Sequence, residues 1–333
     1  IDTSTLTLEN DGRITTDTYG KGDAGNIEIQ ATEGVKVRGR LTSDVFDTGE
    51  GNGGSITIDT STLTLENGGY ISANTYGKGN AGNVVIKATQ GVNVRGWLSS
   101  DVFNDTAEGN GGSITIDTST LTLENDGIIS ASTTGKGDAG NIAIQATEGV
   151  NVRGWLYSDV FNDTAVGNGG SITIDTSTLT LEKGGIISAS TFGKGNAGNI
   201  AIKASQGVNV RGWLSSDVFN DTAVGNGGSI TIDTSTLTLE KGGLISADTY
   251  GIGNAGNIAI KASQGVTVGG LLTSDVFDTG EGNGGSITID TSTLTLEKGG
   301  LISASTTGKG DAGNIAIQAT EGVNVRGWLY SDV

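Results

Sequence analysis

Carboxylates are the main chemically capable side chains of this sequence, with 37 Asp and Glu against 19 Lys and Arg, and no His or Cys. A pair of carboxylates can cleave a glycosidic bond when one unique pair faces a cleft. Here each acid recurs at a fixed spacing and no long insertion builds a cleft wall, so a single catalytic centre is not expected. Without Cys there is neither a disulfide nor a thiolate metal site. The turn phrase GKGDAGN beginning at Gly20, Gly135 and Gly308 departs from the GGxGxD calcium nonapeptide. Calcium in the turns is thus a secondary idea, and no cofactor is implied. The other candidates are Trp97, Trp155, Trp213 and Trp328, whose flat faces could stack on sugar rings.

These residues are positioned by a repeat. The phrase IDTSTLTLE starts at Ile1, Ile58, Ile116, Ile174, Ile232 and Ile289, giving a period of 57 or 58 residues. The repeats are 1–57, 58–115, 116–173, 174–231, 232–288 and 289–333. The two short repeats have DVFDTGEG around Val45 and Val276 in place of DVFNDTAEG around Val102. Each repeat divides again, because Gly51–Lys78 aligns on Gly79–Glu108: GNGG matches GNAG, LTLEN matches VNVRG, and YISANTY matches WLSSDVF. The unit is therefore 28–30 residues long and carries three short segments of period-two alternation, the signal of half-buried strands. One unit shows Ile56 and Ile58, Leu63 and Leu65, then Ile71 and Ala73; glycine- and asparagine-rich turns separate the segments. A propeller blade needs about four antiparallel strands in roughly 40–50 residues. The expected fold is a parallel β-helix of 11–12 triangular coils, about 55 Å long at the usual strand spacing, forming one domain over residues 1–333.

Stacking in register makes a testable pattern of charge. The residue after the first segment runs Gln30, Asp59, Lys87, Asp117, Gln145, Asp175, Lys203, Asp233, Lys261, Asp290, Gln318. After the second it runs Glu9, Arg38, Glu66, Arg95, Glu124, Arg153, Glu182, Arg211, Glu240, Gly269, Glu297, Arg326. Acid alternates with base or amide, which is favourable between facing strands, whereas like charges are not. At the GN(G/A)G corner, Asn52, Asn80, Asn110, Asn168, Asn196, Asn226, Asn254 and Asn283 share one position with Asp23, Asp138 and Asp311, and a ladder of hydrogen bonds along the axis is expected there.

The same stacking places Trp97, Trp155 and Trp213 two coils apart, about 9.6 Å, near the length of a disaccharide. The competing reading is that each indole covers its corner beside Leu98, and Arg40 and Leu271 in the same column favour it. Thr57, Thr62 and Thr64 suggest an ice-binding array, but the intervening coil carries Val85, Lys87, Asn93 and Arg95. The net charge of −18, with cations set singly beside acids, argues against nucleic acid. No apolar run is long enough to span a membrane as a helix. The chain starts and stops inside a repeat, so it is expected to belong to a longer one.

The phrases GNGGSITIDTSTLTLENGG and GNAGNIAIKASQGV resemble the repeat region of filamentous haemagglutinin-like exoproteins of two-partner secretion, above all cyanobacterial members with glycine-rich repeats. That resemblance implies a right-handed parallel β-helix, an extracellular or cell-surface location, and an adhesive or fibrous role. The expected function is a stiff structural rod or filament segment that is not an enzyme and self-associates end to end or side by side. The alternative is a carbohydrate-binding adhesin stalk that meets surface polysaccharide, with ice binding a more distant one.

Overall fold

The computed structural model describes residues 1–46, 49–277 and 280–333; Asp47, Thr48, Asp278 and Thr279 lie outside the described residues. The chain is an all-β solenoid of about eleven turns, without helix among the described residues. Among the described residues two parallel sheets of twelve strands each run along it, and strands alternate strictly between them. Long strands such as Ser55–Leu65 and Asn83–Val94 build one sheet, and three-residue strands such as Tyr70–Ser72 and Trp97–Ser99 build the other. Beyond each short strand come single parallel bridges, as in the row Thr75, Val102, Thr133, Val160.

The three segments expected per coil are thus distributed unevenly. The first and second fuse into one strand of 11 or 12 residues. Between them the register shifts, since Thr60–Thr62 faces Ala88–Gly91 and one coil carries an extra residue. Neither Thr60–Thr62 nor Ala88–Gly91 holds a positive φ. Strand pairing resumes on both sides of the bend, and within it the Thr62 and Thr120 hydroxyls donate to the Glu33 and Gln90 carbonyls of the coil below, so the corner is a bulge rather than a glycine turn. Among the described residues positive φ occurs at other corners, for example at Gly68 (φ 79°), Gly79 (134°), Gly184 (86°) and, in the longer loops, Asn104, Asn162 and Asn220.

The core is a narrow column of Ile, Val and Leu. Ile56, Ile58, Leu65, Ile86, Leu98 and Ile116 are 0 % exposed, and each lies against its counterpart in the next coil. Full burial of each such side chain is worth about 1.5–3 kcal/mol, and the contacts reach only adjacent coils, as in other solenoids. The corners allow no side chain at certain points: a Cβ on Gly82 would lie 1.8 Å from the carbonyl oxygen of Gly54 in the coil below.

The expected charge registry is present. Asp59 faces Lys87, Lys87 faces Asp117, and Lys203 faces Asp233. In the second column Arg95 bridges Glu66 and Glu124 at 3.8 and 3.7 Å, and Arg211 bridges Glu182 and Glu240 at 3.6 and 2.8 Å. The threonine rows are interrupted on successive coils, with Thr57 facing Val85, Thr62 facing Gly91 and Thr64 facing Asn93.

Candidate functional site: an aromatic-walled groove

Four outward positions of each coil form a groove parallel to the axis. In the fourth coil they are Trp97, Ser99, Asp101 and Phe103, at spacings of two because successive side chains of extended backbone point to opposite faces. Trp97 lies in register with Tyr70 and Ile128, and Ile128 with Trp155. This column makes one wall. The other is a stack of rings, Tyr19–Phe46–Tyr76–Phe103 and then Phe161–Phe192–Phe219–Tyr250–Phe277, with neighbouring centroids 4.8–5.7 Å apart.

The floor is a polar ladder that repeat-reading did not single out. Asp17 Oδ1 accepts from the backbone N–H of Asp44, and Asp44 Oδ1 from that of Asn74. The relay continues through Asn74 to Asp101, Asp101 to Ser132, Ser132 to Asp159, Asp159 to Ser190, and Ser190 to Asp217. Asp217 then accepts from Asp248 at 2.6 Å, Asp248 from Asp275 at 2.7 Å, and Asp275 from Ser305 at 2.6 Å. Hydroxyls of the short strands add to it: Ser130 donates to Asp101, Ser188 to Asp159, Ser246 to Asp217 and Thr273 to Asp248.

Although these acids occupy outward positions, the two walls close over them, and Asp101 and Asp159 are each 1 % exposed. Burial raises their carboxyls to about 7, against the opposing effect of the serine hydroxyl and backbone N–H bonds. Asp44 and Asp217 rise to about 6 for the same reason. Asp248 is pushed well up, first by burial and then by Asp217 and Asp275 on either side. Burial, with the nearby charge of Asp159, lifts the Tyr157 phenol to about 12.

Aromatic contacts across the groove divide it. Trp97 meets Phe103 edge-on at 6.2 Å, while Trp155, Tyr157 and Phe161 form a chain of contacts at 6.4 and 5.4 Å. One compartment, of about 420 Å³, runs from Arg13 to Phe103 and includes Arg40, Asp44, Asn74 and Tyr76. A second, of about 210 Å³, lies between Trp97 and Phe161 over the coil of Ile128 and Thr134.

The four tryptophans named by the sequence therefore have different surroundings. Trp97 is half-buried and stacks on Tyr70 at 6.0 Å. Trp155 is 38 % exposed and lies against Tyr157. Trp213 is 55 % exposed, and Trp328, on the last strand, 65 %. Trp97 and Trp155 share the smaller compartment.

The corner amides form the second axial ladder. Asp23 Oδ1 accepts the backbone N–H of Asn52, and the series proceeds through Asn80, Asn110, Asp138, Asn168, Asn196, Asn226, Asn254 and Asn283 to Asp311. Asn and Asp interchange along it because both offer the accepting oxygen. Among the described residues, no group of three or more His, Cys, Asp or Glu gathers as a metal site.

No family model, curated protein or solved structure matches this chain.

Proposed function

We propose that this chain is a stiff, non-catalytic structural segment of an extracellular or cell-surface rod. The observation that supports this best is continuity: both sheets and both side-chain ladders cross the coils in register. Bending such a column would stretch backbone bonds, ion pairs and buried contacts together, so stiffness follows from the stacking itself. The resemblance to filamentous haemagglutinin-like repeats agrees with an exported role, and self-association of rods belongs to the same proposal. Electron cryo-microscopy of native extracellular material is the test. Continuous rods with an axial repeat near 4.8 Å support the proposal; recovery of the protein only from inside cells, or as flexible particles, overturns it.

A second reading, an adhesin stalk that binds polysaccharide, is favoured by the larger compartment, where Arg13 and Arg40 stand beside Tyr19, Phe46 and Tyr76. Glycan-array binding lost on Arg40→Ala and Tyr76→Ala would support this compartment as its platform, and loss on Trp155→Ala and Trp213→Ala would support the Trp column instead. No glycan signal at all would remove this reading.

A further inference from the structure

Among the described residues the ring stack has a threonine at two of its places, Thr307 above its last ring and Thr134, which lies between two rings. Phe103, Thr134 and Phe161 occupy equivalent places, because each donates its backbone N–H to the matching carbonyl one coil below: Thr75, Val102 and Thr133. Phe103 and Phe161 are thus two coils apart, about 9.6 Å, with a threonine where neighbouring coils have a ring. Thr134 does not fill the space, since its hydroxyl is turned to the corner and accepts from the Asn104 N–H at 2.9 Å. The opposite wall is also low in this coil, where Ile128 lies between Trp97 and Trp155. The 210 Å³ compartment lies over this coil.

We propose that this well is a binding site for one planar aromatic ring bearing a hydroxyl, a small molecule of the phenol class, seated between Phe103 and Phe161. The size fits: an apolar cavity of about 150 Å³ holds benzene, and this well is somewhat larger. The shape fits because the protein's own rings repeat at 4.8–5.7 Å on either side, so a ring at Thr134 continues the stack. The Trp97–Phe103 and Trp155–Tyr157–Phe161 contacts bound the well at both ends, which favours a single ring over a polymer chain. The hydroxyl is called for by two polar atoms in residues that line the well, Trp97 Nε1 in its wall and Asp101 Oδ2 in its floor. Both are closed off just behind the well's apolar lining without a hydrogen-bond partner, a costly condition that a small turn of either side chain toward a ligand hydroxyl would relieve. This site is independent of the structural proposal, because a rod with an empty well remains a rod.

Isothermal titration of the full chain with p-cresol tests it, with toluene as the analogue lacking the hydroxyl. Saturable p-cresol binding is expected, with toluene roughly tenfold weaker for loss of one hydrogen bond. Thr134→Phe puts the protein's own ring into the well, so p-cresol binding should vanish while the thermal transition is kept or raised. Should that variant fail to fold, Phe161→Leu serves instead, with binding weakened roughly five- to tenfold for the lost stacking partner. Absence of saturable binding up to the solubility limit overturns the proposal. So does binding that survives a folded Thr134→Phe or, if that variant does not fold, binding unweakened in Phe161→Leu, or toluene binding as tightly as p-cresol.

Discussion

Two columns of acids climb this molecule under opposite rules. On the open face Glu66, Arg95, Glu124 and Arg153 alternate in sign and form ion pairs at 3.5–3.8 Å. On the groove floor Asp217, Asp248 and Asp275 follow one another without a cation between them. The backbone spacing is the same in both, so geometry does not separate them. Exposure does. In water the carboxylates stay ionised, and alternation is how a stack of ionised groups avoids repulsion. Under the aromatic walls the charged form is disfavoured by desolvation, and protonated acids can stack on one another as hydroxyl-bearing groups.

The largest expected effect breaks this comparison by pH. A carboxyl whose folded pKa is raised holds its proton more firmly folded than unfolded. The stability it contributes is fully present below the unfolded value near 3.9 and is lost as pH rises through the folded value. For Asp101 and Asp159, raised from 3.8 to about 7, the loss is on the order of 4 kcal/mol each. Thermal melts should therefore show the melting temperature falling from about pH 4 to about pH 7 and levelling above. A flat or rising profile would refute the protonated floor.

A mutation sharpens the same point. Asn74 already occupies this column and accepts the Asp101 N–H at 2.8 Å, so an amide fits the site. Asp159→Asn should raise stability at pH 8, where a carboxyl raised to about 7 has ionised, by an expected 1–3 kcal/mol, roughly the range for relieving a buried unpaired charge, and change little at pH 4. Denaturant midpoints at the two pH values measure it, and loss of stability at pH 8 would count against the reading.

The corner ladder lies between the extremes, exposed but bonded to backbone. Asn196→Ala removes the acceptor for the Asn226 N–H at 2.9 Å and should cost about 1 kcal/mol, with no change between pH 5 and pH 8 in urea titrations. The smallest effect belongs to the open column. Arg153→Gln breaks the pair with Glu124 at 3.5 Å and should cost less than about 1 kcal/mol, shrinking further in high salt. A large, salt-independent cost would mean that the open column behaves like the groove floor.

Much of this was legible along the chain. The 28–30-residue coil, the apolar column and the facing of Asp59 with Lys87 follow from periodicity, since stacked identical units have little choice of register. The corner ladder was legible because Asn and Asp share one place in a glycine frame. The fusion of two segments through Thr60–Thr62 was not, because a bulge needs no special residue. Nor was the groove. Alternation puts Trp97, Ser99, Asp101 and Phe103 on the outer face, which by itself reads as solvent.

The sequence alone determined the coil, its register and the columns, because local alternation and repetition act at the level of single strands and their neighbours. Tertiary structure decided what those columns experience. Only when Trp97 and Phe103 meet across the groove is Asp101 closed from water. Only stacking over three coils shows that Thr134 leaves a gap between Phe103 and Phe161. Burial and vacancy are properties of neighbours brought together in space, and no single stretch of chain carries them.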